Sequence, residues 1–230
     1  MPKNLALTTK SEETRNRILE AALVLFRRQG FESTTMRDIA REAGVALGGA
    51  YYYFDSKDAL VMGFYQRAQE DLAALLESAL VGAKTADARL HAVIETKFKY
   101  FADNRKLLGA LSAHIDPHHP LSPFSEQTRP IRERDIAFLS QALDDTKLRV
   151  PPDLAPHLPH LLWLYQMGLM LFWVYDSSPH QQRTRLLFEK TLSIVVRLIK
   201  LSGLPLMRPV RKIVTDLLAI IYTEGKEATA

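Results

Sequence analysis

The chain has 230 residues and a mass of 26.1 kDa, and 47% of its residues are hydrophobic, enough to bury the core of a small domain beside a larger one. It has no cysteine, which excludes a disulfide framework and any thiolate metal site. A formal charge of +4 and a pI near 9.2 suit an anionic partner, but residues 1 to 60 hold nine Lys or Arg against eight Asp or Glu, so affinity for nucleic acid depends on where the cations point.

The first stretch, MPKNLALTTK, reads as a loose terminus, the alternative being an arm that reaches phosphates or a minor groove. No secretory pattern opens the chain, so a cytoplasmic location is expected. Behind the polar start TTKSEETR, Ile18, Ala21, Ala22, Leu25 and Phe26 repeat at helical spacing until Gly30 closes the element. A second, shorter helix begins at Thr34 or Thr35, with Asp38 placed three residues after Thr35 as the reciprocal partner of a capping box. Met36, Ile39, Ala40 and Ala43 form its inward face, and Gly44 can take the left-handed conformation that ends a helix and turns the chain, with Val45 plugging the turn. A third helix over about 47 to 54 turns Ala50 and Phe54 inward and presents Leu47, Gly48, Gly49, Tyr51 and Tyr52 on the opposite side. Asp55 and Ser56 can cap the next helix. Two short helices joined by a glycine turn are how a helix-turn-helix is written, with the second helix entering the major groove.

The order of a helix ending in G-F, then T-T-x-R-D-I-A, A-G-V, a Y-x-Y-F run and S-K-x-A-L resembles the TetR family of transcriptional repressors over about residues 11 to 62. The resemblance implies a three-helix DNA-binding head with DNA contacts at Thr34, Thr35, Arg37, Leu47, Gly48, Gly49, Tyr51, Tyr52 and Lys57. Of these, Thr35, Arg37, Tyr51 and Lys57 would hold the backbone, while Gly48, Gly49 and Tyr52 would lie near bases. Three positions depart from the family pattern. Ala46 stands where a Ser is usual, which costs the reading helix its cap, about 1 kcal/mol. Leu47 and Gly49 stand where Lys and Thr are common, and each glycine costs up to about 1 kcal/mol relative to alanine in a helix interior. Such a helix is expected to be loosely ordered until DNA is present, with close backbone approach replacing side-chain contacts.

Apolar positions continue at helical spacing from 57 to about 80, a strut from the head into the rest of the chain. Helices are expected over about 86 to 101, 104 to 114 and 124 to 144, separated by a boundary at HIDPHHPLSP and followed by a turn at VPPDLAP. The stretch LPHLLWLYQMGLMLFWVY is the most apolar, yet Pro159, His160 and Gln166 interrupt it, and it reads as a buried helix rather than a membrane span. After Ser178 and Pro179 comes a helix with one stripe of Leu187, Thr191, Ile194, Leu198 and Leu201 and another of Leu192, Val195 and Ile199. Two neighbouring helices with this much apolar surface can pack on a twin as well as on their own domain, and the resemblance implies a homodimer through that pair. A last amphipathic helix carries Val210, Ile213, Val214, Leu217 and Ile221.

Phe98, Phe101, Phe124, Trp163, Tyr165, Gln166, Met170 and Trp173 can line a cavity for a small-molecule effector, which the resemblance implies; ordinary core packing is the competing account of each. His114, Asp116, His118 and His119 are metal-capable but sit in a proline-rich loop with no second cluster, so no metal and no cofactor are expected. There is no nucleophile elbow, phosphate loop or HExxH, so no enzyme is expected. The expected fold is all-α: a helix-turn-helix DNA-binding domain over 8–54, a larger helical regulatory and dimerisation domain over 55–224 and a disordered tail over 225–230. The expected function is a ligand-responsive repressor that binds a palindromic double-stranded DNA operator as a dimer, without a membrane. A helical ligand carrier without specific DNA binding is the alternative, and it leaves Tyr51, Tyr52 and Lys57 around the exposed helix start unexplained.

Overall fold

A computed structural model describes residues 9–111, 116–144 and 146–227, with side chains described as far as Leu217. Ten α-helices follow one another without a strand among the described residues: α1 (Thr9–Gln29), α2 (Met36–Glu42), α3 (Leu47–Tyr53), α4 (Lys57–Leu80), α5 (Ala86–Phe101), α6 (Arg105–Leu111), α7 (Arg129–Leu143), α8 (Leu158–Tyr175), α9 (Gln182–Ser202) and α10 (Arg208–Glu227). Residues 1–8, most of the expected N-terminal arm, lie outside the described residues, and Thr9 and Lys10 already belong to α1.

The chain forms two compact units. The first takes in Met1–Asp71 and Tyr100–Arg132. Its core joins Ile18, Leu19, Ala22, Leu25 and Phe26 of α1 to Met36, Ile39 and Ala40 of α2, Ala50 of α3, and Leu60, Val61 and Phe64 of α4. Leu107, Leu111 and Leu121 close the same core, so this unit does not stop at residue 54, where the sequence suggested a boundary. The reason is the strut itself: the first turns of α4 are apolar on the face that covers α1 and α3. Gly63 makes that approach possible, because a β-carbon there would lie 2.9 Å from the Phe54 ring. Arg15 also packs on that ring, its guanidinium carbon 4.9 Å from the centroid.

The segment after residue 115 is a chain of turns, not the helix start expected at 124. The Thr128 hydroxyl donates to the carbonyl of Ser122, Ser125 Oγ donates to Pro120, and Arg132 donates to Pro123 at 2.7 Å. Side chains that bond nearby backbone in this way compete with helix formation, and α7 begins only at Arg129.

The second unit takes in Leu72–Lys99 and Glu133–Ala230. Arg89 of α5 closes the end of α7 by donating to Gln141 at 2.8 Å and Ala142 at 2.9 Å, carbonyls that α7 leaves without partners. At the start of α9, the Asp176 carboxylate accepts from the N–H groups of Ser178 and Thr184 and from the Thr184 hydroxyl. Burial works to raise that carboxyl, and these hydrogen bonds outweigh it, holding the group well below the usual carboxylate range. The cap holds a turn in which His180 and Gln181 both have positive φ. On α9, Thr184, Phe188, Leu192, Val196 and Ile199 face inward, while Ile194, Leu198 and Leu201 are exposed and Leu187 and Thr191 half-buried. Arg211 anchors α10 through Asp153 at 2.9 Å and the Ser202 carbonyl. Residues 225–227, expected in a disordered tail, are the last residues of α10, and 228–230 lie outside the described residues.

Candidate nucleic-acid interface

The head is built from two turns with opposite chemistry. At the start of α2 the capping box is closed: Asp38 N–H donates to Thr35 Oγ1 at 3.2 Å, and Thr35 N–H donates to Asp38 Oδ2 at 3.2 Å. The Thr35 hydroxyl also donates to Asp38 at 2.6 Å and Arg41 donates at 2.8 Å, so Thr35 first and Arg41 after it hold the Asp38 carboxyl below the usual carboxylate range. At the end of α2, Gly44 has φ of +65°, and the N–H groups of Gly44 and Val45 return to the carbonyls of Arg41 and Ala40. That pair of bonds is the Schellman arrangement, and it explains why glycine stands there.

α3 then starts at Ala46, which offers its first turn no side-chain cap. Its inward residues are Ala50 and, just past its end, Phe54, both buried. Its outward residues are Tyr51 and Tyr52, 48% and 77% exposed. Tyr53 faces sideways, its hydroxyl 3.1 Å from Ser11 of α1 and its ring edge-on to Tyr52. A β-carbon at Gly48 would meet nothing, so packing does not require glycine there and the helix start presents bare backbone.

Three of the expected DNA contacts sit differently from the sequence reading. Thr34 is 1% exposed and its hydroxyl donates to Gly30 at 2.7 Å, so it fastens the turn after α1. Leu47 is half-buried against the core, which leaves only part of it for a base. Lys57 donates to the carbonyl oxygens of Phe31 at 2.8 Å and Glu32 at 3.4 Å and lies over the Phe31 ring, so its ammonium ties α4 to the turn before α2. Thr35, Arg37, Gly48, Tyr51 and Tyr52 are exposed, and Gly49 is half-buried.

The expected effector-site residues divide between the units. Phe98 and Trp173 meet with ring centroids 5.3 Å apart, and Trp163, Gln166 and Met170 share α8 with Trp173. Tyr165 turns toward α9, its hydroxyl 2.7 Å from Thr191; burial raises its pKa and that hydrogen bond works against the rise. Phe101 instead packs edge-on to Phe64 in the first unit, and Phe124 is an exposed residue of that unit. The centre of this cluster holds a pair that sequence reading missed. Lys97 is 2% exposed, and its ammonium lies 3.0 Å from Asp135 and donates to Gln166 Oε1 at 3.0 Å. A lysine at an inward position of a helix pattern is the only signal that marks it. Among the described residues there is no group of His, Asp and Glu able to hold a metal, and no helix long and apolar enough to cross a membrane. His114 lies outside the described residues.

Two family models match the chain: one described as bacterial regulatory proteins of the tetR family over residues 18–62, and one described as a tetracyclin repressor-like C-terminal domain over residues 89–218. The HTH-type transcriptional regulator UidR of Escherichia coli is 28% identical over 150 residues, 64% of this chain and 74% of that protein. The HTH-type transcriptional repressor KstR2 of Rhodococcus jostii is 25% identical over 145 residues, 62% of this chain and 71% of that one. Among solved structures, Salmonella enterica GusR matches with a TM-score of 0.59 at 26% identity, covering 85% of this chain and all of that chain. FadR from Bacillus subtilis in complex with stearoyl-CoA also reaches 0.59, over 79% and 96% of the two chains; at 17% identity it speaks for the fold alone.

Proposed function

The chain belongs to the TetR family of DNA-binding transcriptional regulators, and on that premise we propose that it is a dimeric repressor released from a palindromic operator by a small molecule. The observation that carries the reading is α3, which buries Ala50 while holding Tyr51 and Tyr52 out to solvent at the end of a tightly turned α2. Nothing in the packing of the head needs those two rings outside. In a helix-turn-helix they belong to the helix that enters the major groove.

Thr35, Arg37 and Tyr51 are the proposed phosphate contacts, with Gly48, Gly49 and Tyr52 near bases and part of Leu47 against a thymine methyl. Lys57 serves chiefly as the tether that fixes α4 to the head, and 8–54 is the reading domain within the larger first unit. One short helix reads few base pairs, so specificity requires a second copy. The exposed Leu164, Leu171 and Phe172 of α8 and Ile194, Leu198 and Leu201 of α9, flanked by Leu187 and Thr191, form the apolar face proposed to meet its twin. The effector is proposed to enter among Phe98, Gln166, Met170 and Trp173, with Trp163 and Tyr165 behind them, where a mostly apolar wall surrounds few polar groups. Phe101 and Phe124 support the head's unit instead. Effector binding would shift α4, which runs unbroken from the head into the second unit, and change the spacing of two heads matched to half-sites about one DNA turn or slightly more apart. Moving that equilibrium decisively takes about 5 kcal/mol of differential effector affinity.

The test is selection from a random duplex library by the purified full-length protein at near-physiological salt. Enrichment of an inverted repeat is expected. A folded, dimeric protein that retains no sequence above background would overturn the reading in favour of a helical ligand carrier.

A further inference from the structure

We propose that the second unit carries a binding site for a small diphosphate-bearing anion, at a cleft that shares no residue with the proposed effector site. The cleft has a volume of about 450 Å³ and opens between the corner that leads into α5 (Lys84, Thr85 and Asp87), the segment 147–149 after α7, and one side of α9. That volume falls within the range of small-molecule sites, about 300–1,000 Å³.

Its charge is what sets it apart. Lys84, Lys147, Arg149 and Lys200 line it against the single carboxylate of Asp87, a surplus of three positive charges from four cations less one anion. None of the four cationic side chains makes an ion pair or hydrogen bond with another described residue. Two more enclosed cations of the same unit, by contrast, are matched: Lys97 by Asp135 and Arg211 by Asp153. Bringing four like charges from three separate segments of the chain around one hollow works against folding through mutual repulsion, and a bound anion removes that cost.

The remaining wall fits the same ligand. Thr85 caps α5 by accepting from Ala88 N–H, so the positive end of the α5 dipole lies at the cleft and adds to the attraction. Leu148 is half-buried and Val196 buried, an apolar floor beside the cations. Two linked phosphate groups match the charge surplus, and the floor accommodates a modest organic part. The shared chemistry is a diphosphate, free or carried on a metabolite.

Full-length protein titrated calorimetrically at low salt with inorganic pyrophosphate, and separately with ADP, tests this. Saturable binding at one site per chain is expected, and tighter binding of ADP than of pyrophosphate would assign the site to a metabolite, the reverse order to the free ion. Lys84→Ala/Arg149→Ala is expected to weaken binding by about tenfold or more. Asp87→Asn is expected to strengthen it, and Lys190→Ala, on an exposed part of α9 away from the cleft, to leave it unchanged. All the substituted residues are exposed, and circular dichroism verifies that each variant is folded. No saturable heat with either anion, or wild-type affinity in the Lys84→Ala/Arg149→Ala protein, would overturn the proposal; the second result would place the anion elsewhere, such as on the cations of the head.

Discussion

The turns around α2 in the head and the buried ion pair of the second unit hold their polar groups together over very different distances along the chain. In the head, Thr35 reaches three residues to Asp38, and Gly44 and Val45 reach back to Arg41 and Ala40. In the second unit Lys97 reaches Gln166, 69 positions away, and Asp135 on another helix. Local polar bonds form whether or not the rest of the molecule is in place, whereas a buried ion pair exists only when three helices are already packed. The turns around α2 can therefore form early, whereas the Lys97–Asp135 pair needs its helices already packed.

The sharpest break in that comparison is Lys97→Met. It removes the ammonium that faces Asp135 and Gln166 inside the core and is expected to cost about 3–5 kcal/mol in urea denaturation, most of which Lys97→Met/Asp135→Leu should recover. A loss no larger than that of a surface substitution would mean that the pair is not what locks the unit. Next in size, Tyr52→Ala should weaken operator binding by about tenfold, roughly 1.4 kcal/mol, while leaving dimerisation and melting unchanged. Equal affinity of mutant and parent would remove Tyr52 from the DNA face. The two helix starts of the head should respond with opposite signs: Thr35→Ala is expected to lower stability by about 1 kcal/mol, and Ala46→Ser to raise it by up to about the same amount, as read from paired thermal melts. If Ala46→Ser gains nothing, the missing cap is not what weakens α3.

The smallest effect is on pH. Asp38 and Asp176 both bind a proton less readily in the folded chain than in the unfolded one, so the unfolded state takes up protons first as acid is added. Their stabilisation is complete above the ordinary carboxyl value of about 4 and is lost as pH falls below it. Asp176→Asn should flatten that acid limb of the stability curve more than Asp38→Asn, because the carboxyl it removes is held further below the usual carboxylate range. An acid limb identical in both variants and the parent would exclude these carboxyls as its source.

What could be read from the sequence follows the same division. The capping box, the turn at Gly44 and the inward Ala50 and Phe54 were all legible, because each is written within five residues. Thr34 and Thr35 look alike as a pair, and only the backbone angles decide that Thr35 caps α2 while Thr34 turns inward to Gly30. The stretch 124–128 carries helix-compatible residues, but its hydroxyls find backbone partners in the preceding turns, a competition that periodicity does not register. Lys57 seemed free for a phosphate because the Phe31 and Glu32 carbonyls that receive it lie on another element. Lys97 and Asp135 each read as ordinary helix residues until packing brings them together, and the four cations of the cleft come from segments with no common pattern.

Gly63 has a consequence for how closely two helices can meet. The Phe54 ring occupies the space that a side chain at position 63 would need, so the end of α3 and the early turns of α4 approach more closely than any other residue there would allow. Any side chain at position 63 would have to push that ring aside, so the spacing between the end of α3 and the early turns of α4 is set by a single missing β-carbon.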